Sequence, residues 1–405
     1  MDNDAAPKFR PSFGASGRRF AHPDTFPQPA GSRIKAAYDR ANIALAKDFS
    51  GLTTDGEKAD GLFPIMKTGV STGPVVDAAN ALRALLTEAQ WDEATFEVDD
   101  DAWRRWHNMH IFLMRHGLML EELGPAQRDA ALALIEASSS AAGYESARDI
   151  MKLNEHAGEI TGRLEEFGEW YYWISLFGEP SPTEPWGWQI DGHHLIVNCF
   201  IYGDQMVMTP DFRGSEPVAA KSGKFAGTHV FDEEEANGLA LMEALTPEQQ
   251  KQAVIGTELP RDVLATAQAD NLKMDYAGID HDALTPPQQE LLMALIETYV
   301  GRIRPGHAEI RIDEVREHLA ETHFGWIGEL GEGGAFYYRI HSPVILIEFD
   351  HLPGIIWDNL DHTRDHIHTV VRTPNGNDYG RDLLRQHYES HDHSHPHTHH
   401  RRGLS

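Results

Sequence analysis

Residues with strand character fall in runs that lie far apart along this chain, so a single sheet must be assembled across long sequence distances. Leu195–Val207 alternates around Tyr202-Gly-Asp-Gln205, a hairpin signal. Phe336–Phe349 is rich in aromatic and β-branched residues and is broken by His341-Ser-Pro343, which predicts a second hairpin. His366–Arg372 reads as a further strand, ended by Pro374-Asn-Gly-Asn377. Residues 33–180 read mainly as helix, and helical material at 232–320 separates the strand groups. The expected class is α+β, a helical N-terminal half packed on a mostly antiparallel sheet with interspersed helices.

Two helical faces stand out. One runs through Trp103, Trp106, His110, Leu113, Gly117 and Leu120, and the other through Leu164, Phe167, Tyr171 and Ile174. Helix starts carry a repeated signature. Leu86-Thr-Glu-Ala-Gln90, Leu245-Thr-Pro-Glu-Gln249 and Leu284-Thr-Pro-Pro-Gln288 each place Gln three residues after a Thr N-cap, a capping box. Leu123-Gly-Pro-Ala-Gln127 is a weaker version. Their unequal intervals mark them as independent helix starts. Residues 1–32, rich in Pro, Gly and Ser, read as a disordered arm, and 33–390 as one integrated domain. Residues 391–405 read as a disordered His-rich tail, able to bind Ni, Cu or Zn opportunistically.

A net charge of −28 opposes phosphate backbones, so nucleic acid is not an expected partner. No run approaches the roughly 20 apolar residues of a membrane span. Arg18-Arg19 is followed by Phe-Ala-His-Pro rather than an apolar core, so no export signal is readable and the cytoplasm is expected. The single cysteine, Cys199, lies in an apolar stretch and reads as a buried core residue.

The chemistry points to histidine, of which the chain has 24. In Asp365-His-Ile-His368 the period of a strand puts His366 and His368 on one face, with Ile367 on the other. Two convergent neutral imidazoles suit a divalent transition metal. His193 and His194 precede Leu195-Ile-Val-Asn198. On a regular strand they face opposite ways, which favours His194 as the third ligand and His193 as a neighbouring or substrate contact. Gly192 before them leaves room for a bulge or a close backbone approach. Glu348, flanked by Ile347 and Phe349, is expected to be partly buried, as a fourth ligand or general base, with Arg339 or Arg372 as a competing ion-pair partner. Asp350 and Asp365 are further carboxylates nearby. Tyr337, Arg339 and His341 share a face, and Arg339 would anchor an anionic substrate. Arg372, Arg381 and Arg385 are further cationic candidates. There is no Walker-type loop, His-Glu-x-x-His or Gly-x-Ser-x-Gly elbow. Gly331-Glu-Gly-Gly334 reads as a flexible loop.

Trp186-Gly-Trp-Gln-Ile-Asp-Gly-His-His-Leu-Ile-Val-Asn198, Thr209-Pro-Asp-Phe-Arg-Gly214, Tyr337-Tyr-Arg-Ile-His-Ser-Pro343, Leu346-Ile-Glu-Phe-Asp350, His366-Ile-His368 and Asn377-Asp-Tyr-Gly-Arg-Asp-Leu-Leu-Arg385 together resemble the domain of unknown function 3500 family (DUF3500), from about residue 35 to 390. The resemblance implies one integrated domain and no particular activity. From the residues themselves, the expected function is a metal-dependent enzyme of hydrolase or lyase type acting on a small, anionic organic molecule. Zn suits three histidines with an exchangeable position. Fe(II) suits two histidines and a carboxylate, and would make the protein a non-haem iron oxygenase. Metal binding or delivery without catalysis is the third reading.

Overall fold

A computed structural model describes residues 30–110, 115–331 and 333–390. The arm expected at 1–32 lies outside these residues as far as 29. The His-rich tail at 391–405 lies outside them altogether.

The N-terminal half begins with helices α1 (Ala30–Leu45), α2 (Gly73–Leu85) and α3 (Glu88–Ala94), and short strands β1 (Thr95–Phe96) and β2 (Leu118–Met119). Helices α4 (Pro125–Ser138) and α5 (Ala141–Thr161) lead into β3 (Tyr172–Phe177), β4 (Trp186–Gly192), β5 (Leu195–Tyr202), β6 (Gln205–Val207) and β7 (Asp211–Ser215). The second half runs through α6 (Asp232–Ala244), α7 (Pro247–Ala253), β8 (Ile279–Asp280), α8 (Pro286–Val300) and α9 (His307–Glu317). Strands β9 (His323–Gly328), β10 (Phe336–His341), β11 (Leu346–Pro353) and β12 (His362–Arg372) follow, and α10 (Arg381–Ser390) closes the described chain. The architecture is α+β, as the patterning predicts. Twelve strands form one open sheet in the order β1-β3-β4-β5-β7-β12-β11-β10-β9-β8, with β2 on β3 and β6 on β5. All pairings are antiparallel except β1 with β3.

Both expected hairpins form, β5–β6 across Gly203-Asp204 and β10–β11 across Ser342–Ile345. The two proposed helical faces do not form among the described residues, Leu113 lying outside them. Trp103 lies in one 3₁₀ turn and Trp106 follows it, while Leu118 is already in β2. Gly117 has φ +78, and a Cβ there would sit 2.4 Å from the Ile174 carbonyl oxygen. Helix α5 stops at Gly162 (φ +69), so Leu164 and Phe167 lie in a loop and Ile174 in β3. Large apolar side chains at three- and four-residue steps satisfied the helical template by coincidence. The left-handed glycines at each boundary ended or excluded the helix.

The capping signatures also turn out to be paired. Gln127 donates to the Gln90 side chain at 2.9 Å and to the Leu85 carbonyl at 3.0 Å. Gln288 donates to the Gln249 side chain at 2.9 Å and to the Ala244 carbonyl at 2.8 Å. With β1 and β6 set aside, the element order α2-α3-β2-α4-α5-β3-β4-β5-β7 recurs as α6-α7-β8-α8-α9-β9-β10-β11-β12, and the sheet order mirrors it about the β7–β12 seam. The starts are therefore equivalent pairs in two like halves, and the alternation of short and long intervals between successive starts hid the repeat.

One sheet face buries its apolar residues against the helices, in a core that includes Ile174, Trp188, Val197, Tyr338, Ile347 and Val371. The other face is covered by irregular chain, with Leu52, Trp103, Trp106, Val263, Ala265 and Met274 packing on Ile196, Phe212, Leu346 and Val370. The candidate site lies on this second face.

Candidate metal centre

The alternation expected of His193 and His194 does not occur. Gly192 pairs with Leu195, so the two histidines are the tight turn between β4 and β5. His194 has φ +63, a left-handed conformation that is uncommon for a non-glycine residue. A turn cancels the two-residue period, and the two rings stack at 3.9 Å. Gly192 supplies the close approach that its size allows: a Cβ would lie 2.4 Å from the Tyr172 ring. The hydrogen bonds holding the turn are Gly214 N–H to the His194 carbonyl at 2.8 Å and Tyr172 Oη–H to the His193 carbonyl at 2.9 Å. Asn154 of α5 accepts from His193 Nδ1 at 2.7 Å.

Strand β12 brings up His366 and His368 as the period of two requires, with Ile367 facing the helices. Ring nitrogens of His194, His366 and His368, all buried, lie within 4.8 Å of one another. His366 Nδ1 donates to the Pro353 carbonyl at 2.8 Å, and His368 Nδ1 to Asp262 Oδ1 at 2.7 Å. In the neutral rings these partners place the proton on Nδ1, leaving a lone pair on each Nε2. Those Nε2 atoms are 3.1 Å apart. Two lone pairs cannot bond each other, whereas nitrogens sharing one Zn at ~2.05 Å in tetrahedral geometry lie roughly 3.3 Å apart. Burial, then the neighbouring imidazoles, hold His194 and His368 well below the usual histidine range, in the neutral form that ligates.

Two acidic residues complete the surroundings. Asp262 sits on the loop after α7. Burial of its carboxylate pushes it up to about 6, against the pull of His366 and the Val263 N–H, while the outer edge of the side chain stays in solvent. Asp350 is the cross-strand partner of His368 on the same face. It is fully buried, neither oxygen meets a donor among the described residues, and burial reinforced by Asp262 and Glu348 raises it far above the carboxylate range. Asp262 carries no signal in the sequence because it belongs to a loop with no periodicity; its carboxylate reaches His368 only through the fold.

Glu348 is buried as expected but is not brought to the histidines. Its oxygens accept from the Leu264 and Ala265 N–H groups at 3.0 and 2.7 Å and from Tyr337 Oη–H. It thereby pins the loop that carries Asp262. Neither Arg339 nor Arg372 pairs with it. Arg372 is held by Asp270 at 2.8 Å and Asp378 at 2.7 Å. Arg381 caps the carbonyls of Asp99 and Asp100, and Arg385 pairs with Asp382 and Glu389. Asp365 is exposed and faces away. Arg339 is buried on the site's face, two strands from β12. Cys199 is buried, its thiol pushed up to about 12 by burial, as an inert core residue. Histidines 107, 110 and 116 are half-buried and outside the three-histidine cluster, His110 lying against the His193 ring.

Among the described residues no helix is long and apolar enough to cross a membrane. No curated protein and no solved structure matches the chain significantly. A family model does match, over residues 68–381, more than three quarters of the sequence and including His193, His194, His366 and His368 but neither terminus. The chain belongs to the family described as Protein of unknown function (DUF3500).

Proposed function

We propose that the protein is a metal-dependent enzyme, of hydrolase or lyase type, that acts on a small anionic organic molecule. The observation that carries this reading is the facing pair of Nε2 atoms 3.1 Å apart, each with its Nδ1 already committed. A shared divalent cation removes the repulsion between those lone pairs. His194 supplies the third nitrogen, and its left-handed turn is the strain such a site tolerates. Three histidines favour Zn, which would supply a Lewis acid that polarises a carbonyl and acidifies a coordinated water.

The chain's own residues do the rest. Asp262 orients His368 and raises its basicity as a ligand. Pro353 does the same for His366 through its carbonyl. His193, held by Asn154 and stacked on His194, lines the metal position as a contact for substrate. Arg339 receives the negative charge of the substrate. Glu348 acts at one remove by holding the 262–265 loop.

The test is elemental analysis of protein ending at Ser390, so that tail histidines contribute nothing, purified without metal affinity. About one Zn per chain, lost in His366→Ala with the fold retained, is expected. Iron at that stoichiometry would move the chemistry to oxygen activation. No bound metal after anaerobic reconstitution would overturn the reading.

A further inference from the structure

Five arginines are buried among the described residues: Arg104, Arg213, Arg302, Arg339 and Arg372. Four of them hold a carboxylate. Arg104 meets Asp270 at 3.0 Å, Arg213 meets Asp211 at 3.0 Å, Arg302 meets Glu234, and Arg372 meets both Asp270 and Asp378. Arg339 meets none. It makes one long bond, Nη2 to the Asp275 carbonyl at 3.4 Å, and its Nε has no partner. Among the buried acids, Asp350 is the counterpart, with neither oxygen in reach of a donor.

These two side chains are neighbours. Tyr337 pairs with Asp350 and Arg339 with Glu348, so Arg339 and Asp350 stand diagonally on one face of adjacent strands, with Cα atoms roughly 7–8 Å apart. They do not touch each other. On the far side of Asp350, the cross-strand residue is the ligand candidate His368. Across the sheet, the order is therefore metal position on β12, carboxyl on β11, guanidinium on β10. A folded protein leaves a buried guanidinium and a buried carboxyl without partners only where something else completes them.

We propose that the substrate is a small bipolar acid: its carboxylate is taken by Arg339, an ammonium or hydroxyl donor further along is taken by Asp350, and its reacting group reaches the histidine cluster. This rests on the metal-enzyme reading for the third contact only. Guanidinium receives a carboxylate through two parallel N–H bonds, and five donors with one long bond leave that fork open. His341, on the same strand face, also has an unpartnered Nδ1, and Tyr276 packs edge-on against its ring at 4.6 Å. That wall closes the carboxylate end.

The experiment uses the full chain loaded with Zn and follows thermal melting with glycine, β-alanine, lactate and 3-hydroxypropionate, against acetate and ethylammonium. At least one bipolar acid is expected to raise the melting temperature, with acetate and ethylammonium weaker by tenfold or more in the concentration required. The amino and hydroxy acids distinguish an ammonium from a hydroxyl at Asp350. Arg339→Gln should abolish the response and Arg339→Lys retain part of it. Asp350→Asn should remove the preference for the bipolar acid over acetate. Without any ligand, Asp350→Asn and Arg339→Gln should melt at or above the wild-type temperature, because each removes an uncompensated buried group. Ligand-free variants that melt several degrees lower would show that the two side chains are structural and overturn the proposal, as would no response from any bipolar acid. The same titration on His366→Ala, beside metal analysis of the wild-type protein, separates the two readings: ligand binding that survives in the variant while the wild-type protein takes up no metal leaves this proposal standing and removes the metal enzyme.

Discussion

At the scale of single residues, the site separates side chains that bind from side chains that hold others in place. Asp262 and Glu348 make that distinction testable. Asp262→Asn keeps a hydrogen bond to His368 Nδ1 but removes the charge behind it, and metal affinity is expected to fall ~10–100-fold. A chelator competition assay measures this, and unchanged affinity would remove Asp262 from the site. Glu348→Gln should leave the metal stoichiometry intact while costing about 1–3 kcal/mol of stability, because one of two N–H donors loses its acceptor. Loss of metal without loss of stability would make Glu348 a ligand after all. The His-x-His pair was legible because a strand's period is geometric and local. Asp350 stood in plain view beside Glu348, yet only the absence of donors around it marks it as different. Absence of a partner is a tertiary fact.

At the scale of elements, the seam between β7 and β12 decides whether the histidines converge. Gly214 pairs with His368, and a Cβ there would lie 2.6 Å from the His368 ring and 3.2 Å from that of His194. Gly214→Ala should push both rings away, costing about 1–3 kcal/mol by overpacking and most of the bound metal. Denaturant unfolding with metal analysis of the same sample checks it, and full stoichiometry in the variant would show that the rings can give way. The helix starts carry a second lesson. Thr87, Thr246 and Thr285 were readable as caps because capping boxes are local, with both bonds made within four residues at Thr87 and Thr246 and the Gln288 bond to the Thr285 N–H at the third. Their pairing into two halves was not readable, because Gln90 meets Gln127 and Gln249 meets Gln288 only after the helices pack.

At the scale of the whole molecule, buried titratable groups set the response to pH. Burial holds His107 and His116 down to about 4 and His110 and His341 to about 3. A histidine of this kind stabilises the fold fully above its unfolded pKa of roughly 6.5 and loses that contribution as the pH falls towards the folded value. Asp191, which burial pushes up to about 8, works in the opposite sense, losing its contribution as the pH rises through 8. Nine described histidines are lowered (107, 110, 116, 193, 194, 307, 341, 351 and 368) against five raised carboxyls (191, 262, 348, 350 and 378). Between pH 6.5 and 5 the unfolded chain therefore binds more protons than the folded one, and stability falls. The guanidinium midpoint of metal-free protein should be lower at pH 5 than at pH 7; an equal or higher midpoint would show that the carboxyls dominate. By itself the sequence determined the α+β class, the two hairpins, the helix caps and the His366–His368 pair, all of which follow from periods and turn chemistry within a few residues. Only the tertiary structure decided that His193 and His194 form a turn, that Asp262 reaches His368 across 106 positions, and that Arg339 and Asp350 are left without ion-pair partners. Those outcomes depend on which distant surfaces share one buried face, and local spacing carries no record of that.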